Sequence, residues 1–180
     1  VYKRQGEVLW TADGVALCTA TGAQYSQRVV SDGAGGAIVV WRDNRNGFSP
    51  EIYAQRVNAA GNVLWGADGV AVCAVADMFN RPWIAPDGAG GAIVAWECLR
   101  DVDYDIYAQR VSASGVMQWT TGGVIVCDAK YDQMNARIVS DGAGGAVVAW
   151  IDDRNGNDDL YAQRIDASGA AQWAAGGAPL

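Results

Sequence analysis

The chain has 180 residues, 51% of them hydrophobic and 18% charged, with a formal net charge of −7 and no histidine. This acidic balance repels phosphate backbones and anionic lipid, so we expect no nucleic-acid partner and no membrane insertion. Without histidine, Ser-His-Asp catalysis, Cys-His catalysis and histidine metal sites are excluded.

Patterns typical of β-strands follow one another along the first third of the chain. Residues 28–32 and 36–41 flank a glycine-rich turn, which predicts a β-hairpin. The second of these runs is apolar on both faces, so we expect a central strand that is covered above and below. Alternation over 51–57 predicts a third strand, and 62–65 a fourth. A further short apolar piece occupies 69–73.

The same pattern then returns with a period of 54 residues. The segment Ile-Tyr-Ala-Gln-Arg at 52–56 recurs at 106–110 and, with leucine in first place, at 160–164. A fixed internal period is the signature of a repeat architecture. We interpret 1–180 as a single repeat array with these approximate units: 1–51 (partial), 52–105, 106–159 and 160–180 (partial).

Four antiparallel strands in about 54 residues match one blade of a β-propeller. The predicted fold is therefore all-β, a propeller-type stack of about three blades, with an irregular β-sandwich or another repeat fold as alternatives. Propellers start at about four blades, so one chain alone should not close a ring. The open faces then either associate with copies of the same chain or are covered by neighbours in a longer protein.

The recurring motifs carry a resemblance. Asp-Gly-Ala-Gly-Gly-Ala at 32–37, Trp-x-Asp-x-Arg-Asn-Gly at 41–47 and Ile-Tyr-Ala-Gln-Arg at 52–56 resemble a family of repeats in large secreted or surface proteins of bacteria. The resemblance implies a β-propeller-like fold and an extracellular or cell-surface bacterial setting. It implies no particular activity. The middle unit departs from the pattern, since Cys98 stands where the other units carry an aspartate.

Two acidic stretches are candidate calcium sites. Carboxylate and amide oxygens alternate in each of them, and calcium takes six to eight oxygen ligands. The candidate ligands are Asp101, Asp103, Asp105, Asp153, Asn155 and Asp159. Neither stretch has the complete calcium-loop pattern, and the same residue types form ordinary solvated β-turns. We therefore expect no obligatory cofactor, with calcium as the one candidate.

Arginines recur at fixed positions beside recurring aspartates. A ring of arginines could bind acidic sugars through bidentate hydrogen bonds. The alternative is structural, with Asp43 and Asp152 pairing with arginines such as Arg45 and Arg154. Because a group repeated in every unit is more often part of the architecture than of one site, we favour the structural role.

Most of the tryptophans also recur at fixed positions, which indicates packing anchors. The structural anchors we name are Trp41, Trp96, Trp150, Trp65 and Trp119. Trp83 differs, because it replaces Arg28 and Arg137 of the other units. It is the best candidate for stacking against a sugar ring.

The cysteine spacing matches no zinc pattern. Cys18, Cys73 and Cys127 occupy one repeat position, and equivalent points on neighbouring blades are too far apart for disulfides. We expect buried thiols that pack as small apolar groups.

A glycosidase needs two carboxylates in distinct environments, and no pair of acidic residues is singled out by the sequence. We therefore predict no enzyme, but a non-catalytic extracellular structural or interaction module that assembles with copies of itself into an oligomer or filament. The alternative is a carbohydrate-binding, lectin-like propeller with a glycan partner. A glycan-processing hydrolase is the third hypothesis.

Overall fold

The computed structural model describes residues 10–47, 50–73, 78–100 and 102–180, and only the backbone of residues 78–80 and 100. Within these residues the regular structure consists of twelve β-strands and no helix, which confirms the all-β prediction. Among the described residues there is accordingly no helix long and apolar enough to cross a bilayer.

The strands form three antiparallel sheets of four, each built from consecutive segments of the chain. The first sheet contains β1 (Gln24–Ser31), β2 (Ala37–Asp43), β3 (Glu51–Val57) and β4 (Val70–Cys73). The second contains β5 (Met78–Pro86), β6 (Ala92–Arg100), β7 (Asp103–Val111) and β8 (Val124–Cys127). The third contains β9 (Gln133–Ser140), β10 (Ala146–Asp152), β11 (Asp159–Ile165) and β12 (Ala178–Pro179).

Each sheet opens with the predicted hairpin, whose turn is held by an aspartate. Oδ1 of Asp32 accepts hydrogen bonds from the amides of Ala34 and Gly36, both at 2.8 Å. Oδ2 of Asp32 pairs with Arg56 at 2.9 Å. Gly36 is required here, because a Cβ would lie 2.1 Å from the carbonyl oxygen of Val57. Equivalent Asp–Arg pairs close the turns of the other two sheets.

The fourth strand lies elsewhere than predicted. Residues 62–65 make only an isolated bridge, from Val57 to Val63, and the ladder partner of β3 is the apolar piece Val70–Cys73. The buried side chain of Gln55 explains the difference, because its Oε1 accepts the amide of Trp65 at 3.0 Å. Its Nε2 donates to the carbonyl of Gly66 at 2.9 Å. A side chain thus satisfies backbone groups that a strand would pair with its neighbour.

The three sheets stack face to face, with their first strands β1, β5 and β9 side by side. Successive residues of a strand point to opposite faces, so Val94 of β6 enters the core toward the first sheet and Ile93 the core toward the third. Strand β6 is thus covered on both sides, as predicted for the central strand. The equivalent β2 lies in an end sheet, where Val39 stays half-buried.

The stack is open at both ends within the described residues. Val29 on the outer face of the first sheet is 65% exposed, and Leu160 on the outer face of the third is 57% exposed. The equivalents of these residues in the second sheet, Ile84 and Ile106, are buried. The difference arises because only the middle sheet has a neighbour on each side.

Tryptophans join each unit to the next. Nε1 of Trp10 donates to the carbonyl of Ala59 at 3.0 Å, and Trp65 and Trp119 make the same contact one and two units further along. Trp173, the last of this set, is 42% exposed and has no acceptor among the described residues. The second set, Trp41, Trp96 and Trp150, is buried within the sheets.

Candidate functional site

The side chains of Arg28, Trp83 and Arg137 form a stack across the three first strands. They occupy the same repeat position, and the indole of Trp83 lies between the two arginines. The guanidinium carbon of Arg28 lies 4.5 Å from the Trp83 ring centroid, and that of Arg137 lies 4.1 Å from it. These distances are typical of cation–π contacts. We call these three residues the Arg–Trp–Arg row.

A β-bulge precedes each member of the row. The register of β1 shifts between Tyr25 and Arg28, and β5 and β9 show the same irregularity. The bulges place Ser26, Arg81 and Asn135 in positive-φ conformations of 57°, 44° and 57°. Non-glycine residues rarely adopt this conformation, and bulges re-aim the side chains that follow them. The bulges therefore set the direction of the row.

Glu97 and Arg81 of the middle sheet fix the bulge of the third sheet. Oε1 of Glu97 accepts the amide of Asn135 at 2.7 Å, and Nη1 of Arg81 donates to Oδ1 of Asn135 at 2.5 Å. Glu97 is 2% exposed, and burial raises its pKa despite the opposing hydrogen bond from Asn135. Glu97 thus holds the backbone that carries Arg137.

The row opens onto a groove at its Arg137 end. The groove has a volume of about 470 Å³ and lies along the outer face of the third sheet. Its walls are formed by Asn135, Arg137, Ala149, Trp150, Ile151 and Leu160. The groove is shallow and open, with mostly apolar walls and a few polar groups.

Trp83 is placed differently from what sugar stacking requires. A sugar ring stacks on an open aromatic face, but guanidinium groups lie over both faces of this indole. The partly exposed Trp83 therefore offers no open face to a sugar ring. In the sequence, Arg28 and Arg137 stand out only as the residues that occupy the position of Trp83 in the other two units. The signal for Glu97 was its departure from the repeat, where the other units carry Arg42 and Ile151.

The structure does not assemble the candidate calcium ligands into a metal centre. Among the described residues, no group of three or more acidic, cysteine or histidine side chains is placed to hold a metal ion. Asp103 instead accepts the amide of Tyr131 at 3.1 Å, and Asp159 accepts the side-chain amide of Asn155 at 3.2 Å. Asp105 lies within β7 and Asp153 in the turn after β10, whereas Asp101 lies outside the described residues.

The repeated aspartates and arginines pair within their own sheets. Asp43 and Arg45 are joined at 2.7 Å, and Asp43 also accepts Nε1 of Trp41 at 2.7 Å. Burial alone would raise the pKa of Asp43, but hydrogen bonds from Arg45 and Trp41 outweigh it and hold the pKa below its usual value. Asp152 and Arg154 repeat the arrangement in the third sheet. These arginines are committed to the architecture.

The four cysteines all lie in the described part of the chain, and none of them forms a disulfide. Cys73, Cys98 and Cys127 are buried, and Cys18 is half-buried. Burial raises the pKa of Cys127 to about 11. A thiol with so high a pKa is a poor nucleophile at neutral pH.

Comparisons with known proteins give only structural likenesses. No protein-family model and no curated protein matches the sequence. An endo-arabinase from Bacteroides thetaiotaomicron VPI-5482 matches with a TM-score of 0.49 at 17% identity, over 79% of this chain and 56% of that one. A Penicillium chrysogenum alpha-L-arabinanase complexed with arabinobiose matches with a TM-score of 0.45 at 13% identity, over 79% and 43%.

An N-acetylgalactosamine deacetylase from F. plautii, in complex with blood group B trisaccharide, matches with a TM-score of 0.42 at 12% identity, over 89% of this chain and 49% of that one. The chain thus spans about half the length of the solved structures it matches. Likenesses at this level do not transfer an activity or a substrate.

The comparison nevertheless contradicts the predicted function, which was a non-catalytic structural module that assembles with copies of itself. The three matched structures are an endo-arabinase, an arabinanase and an N-acetylgalactosamine deacetylase. In the first unit the ring of the chain's own Trp10 lies beside Ala59 and Gly61.

Proposed function

We propose that this chain is a carbohydrate-binding array of propeller-type blades, whose site is the Arg–Trp–Arg row and the groove beside it. The observation that carries the proposal is the convergence of Arg28, Trp83 and Arg137 from three sheets at one surface. Side-by-side first strands are the arrangement expected around a propeller axis. A site built across several blades uses the repeat to bring together groups that no single blade contains.

The chemistry of the row suits a sugar. Sugar hydroxyls offer many acceptor oxygens, and guanidinium and indole N–H groups are donors that can bind them. Planar guanidiniums held over an aromatic ring lose less side-chain freedom on binding than free arginines would. The groove beside Arg137, with Leu160 and Ile151 in its walls, offers an apolar surface for the C–H face of a sugar ring.

The proposal is binding without hydrolysis. A glycosidase acid must reach the glycosidic oxygen, but the buried Glu97 is directed to the amide of Asn135. The carboxylates of Asp43 and Asp152 are equally engaged, with arginine and tryptophan donors. These three acids serve the fold.

The test is calorimetric titration of the chain with a panel of neutral and acidic oligosaccharides. We expect at least one of them to bind, and Trp83→Ala to weaken that binding at least tenfold. Trp173→Ala is the matched control, because it removes another partly exposed tryptophan far from the row. Trp83→Arg places at this position the residue that the other two units carry, so it tests the indole in a variant expected to fold.

Unfolding in urea shows whether each variant is folded before its binding is measured. Loss of binding in folded Trp83→Ala, with binding retained in Trp173→Ala, supports the proposal. The proposal fails if no oligosaccharide of the panel binds, or if folded Trp83→Ala binds as tightly as the unaltered chain.

A further inference from the structure

We infer that the sugar bound by the Arg–Trp–Arg row is an acidic one, recognised through its carboxylate. The inference rests on the proposed function and narrows it to one class of glycan. It starts from the charges of β1, β5 and β9, which contain arginines and no acidic residue although the protein as a whole is acidic.

The row presents donors only. Arginine and tryptophan side chains carry no hydrogen-bond acceptor, so an acceptor-rich ligand is the one that they can satisfy. Nη1 of Arg28 donates to the carbonyl of Gln27 at 2.8 Å, and Nη1 of Arg137 donates to the carbonyl of Ala136 at 2.8 Å. These bonds orient the guanidiniums and leave their remaining N–H groups for a ligand. The indole N–H of Trp83 likewise has no acceptor among the described residues.

The two arginines of the row lack the partners that the repeated arginines have. Among the described side chains, each of the repeated arginines forms an ion pair with an aspartate of its own sheet, and these are Arg45, Arg56, Arg110, Arg154 and Arg164. Within the described residues, no carboxylate lies within ion-pair distance of Arg28 or Arg137. Their contacts are the Trp83 ring and backbone carbonyls.

The nearest acid does not neutralise the row. Glu97 lowers the local charge through its interaction with Arg81 and Arg137, but its Oε1 is bonded to the Asn135 amide and its side chain is buried. Two guanidinium groups on opposite faces of one indole therefore remain for an anion. A carboxylate matches a guanidinium in a bidentate, planar contact, and such charge-assisted bonds are about twice as strong as neutral ones.

The overall charge restricts the ligand further. A protein of net charge −7 repels long polyanions such as nucleic acid, so the row suits a short segment whose carboxylate it contacts directly. Uronic-acid sugars place one carboxylate on each ring. The ring can then lie in the groove beside Arg137 while its carboxylate meets the guanidinium.

The experiment compares a galacturonate trimer with the same trimer after methyl esterification of its carboxylates. The rings and linkages are identical, so only the charge differs. We expect the acid to bind at least tenfold more tightly than the ester at low salt. We expect Arg28→Gln and Arg137→Gln to reduce this preference severalfold each, because each weakens binding of the acid more than binding of the ester. Lys130→Gln is the control, because it removes the same charge from an exposed site outside the row.

Equal affinity for acid and ester overturns the inference but leaves the proposed function standing. A preference for the acid that survives both arginine substitutions, or that Lys130→Gln abolishes equally, also overturns it, because the charge would then act from elsewhere. If neither trimer binds and the wider oligosaccharide panel also fails, the proposed function itself falls.

Discussion

A Cβ placed on Gly115 would lie 2.9 Å from Cγ of Trp65, so the glycine of one unit provides the space for the tryptophan of the unit before it. Gly115 has φ +84°, as the turn in which it lies requires. We predict that Gly115→Ala destabilises the chain by more than 2 kcal/mol, about 1–2 kcal/mol of it from the positive φ and the remainder from the collision.

Gly142→Ala is the matched control for this substitution. Gly142 has φ +75°, but nothing lies within 4 Å of the position where a Cβ would be. Gly142→Ala should therefore lose only the stability that the positive φ costs. Urea unfolding of both variants measures the difference, and equal losses would show that Trp65 can move aside without cost.

The contrast between Trp65 and Trp173 gives a second prediction. Trp65 is 8% exposed and contacts the next unit, whereas Trp173 is 42% exposed and has no following unit among the described residues. Trp65→Ala should cost about 3–5 kcal/mol, the usual range for a buried tryptophan. Trp173→Ala should cost under about 1 kcal/mol. Midpoints of urea unfolding provide the comparison. Similar losses of stability in the two variants would contradict a stabilising contact between Trp65 and the next unit.

Asp43 gives a prediction about acid stability. Its pKa is lowered in the folded chain, so its contribution to stability is present above its unfolded pKa of about 3.9 and is lost as the pH falls through the folded pKa. Asp43→Asn should cost about 3 kcal/mol at pH 7, because it leaves Arg45 without its carboxylate. The deficit should shrink below about pH 4, as the unaltered chain loses the same interaction.

Unfolding free energies at a series of pH values test this. Asp158→Asn removes the same charge at an exposed turn position and serves as the control, with an expected cost of under about 0.5 kcal/mol at pH 7. A deficit for Asp43→Asn that stays constant down to pH 2 would mean that Asp43 does not titrate as we describe.

The contribution of Glu97 to stability should depend on pH in the opposite direction from that of Asp43. Burial raises its pKa, so the folded chain holds this proton more tightly than the unfolded chain does. Its contribution to stability is therefore present below the unfolded pKa of about 4.3 and is lost as the pH rises through the folded pKa. Glu97→Gln keeps an acceptor for the Asn135 amide but does not titrate. The stability of the unaltered chain relative to Glu97→Gln should fall as the pH rises above about 4, and a flat difference would refute the assignment.

The sequence predicted the sheets well because their determinants are local and repeated. The hairpin around Asp32 follows from a glycine turn between two apolar runs, and the return of Gln55 at Gln109 and Gln163 reflects the 54-residue period. The fourth strand was misplaced because the alternation at 62–65 looks like a strand. What prevents a strand there is the buried amide of Gln55, which bonds to that backbone. A polar residue that recurs inside an apolar pattern is the signal for such a role.

The candidate site was less accessible to sequence reasoning. Arg28, Trp83 and Arg137 are 55 and 54 residues apart, and only the stacking of three sheets brings them together. The sequence marked Trp83 as an exception to the repeat, which drew attention to the candidate site. It could not show that both faces of the ring are covered, because side-chain direction after a bulge depends on the backbone geometry.

The tryptophan hydrogen bond between units depends on a specific side chain on one side only, and this has an evolutionary consequence. Its donor is always a tryptophan indole, whereas its acceptor is a main-chain carbonyl, which every amino acid possesses. A duplicated unit therefore brings its own tryptophan, whose indole N–H can donate to the main-chain carbonyl of any copy that keeps the turn. Such a gene segment can multiply or drift as long as each unit keeps the glycine that makes room for the tryptophan, and exceptions such as Trp83 can then accumulate on the first strands.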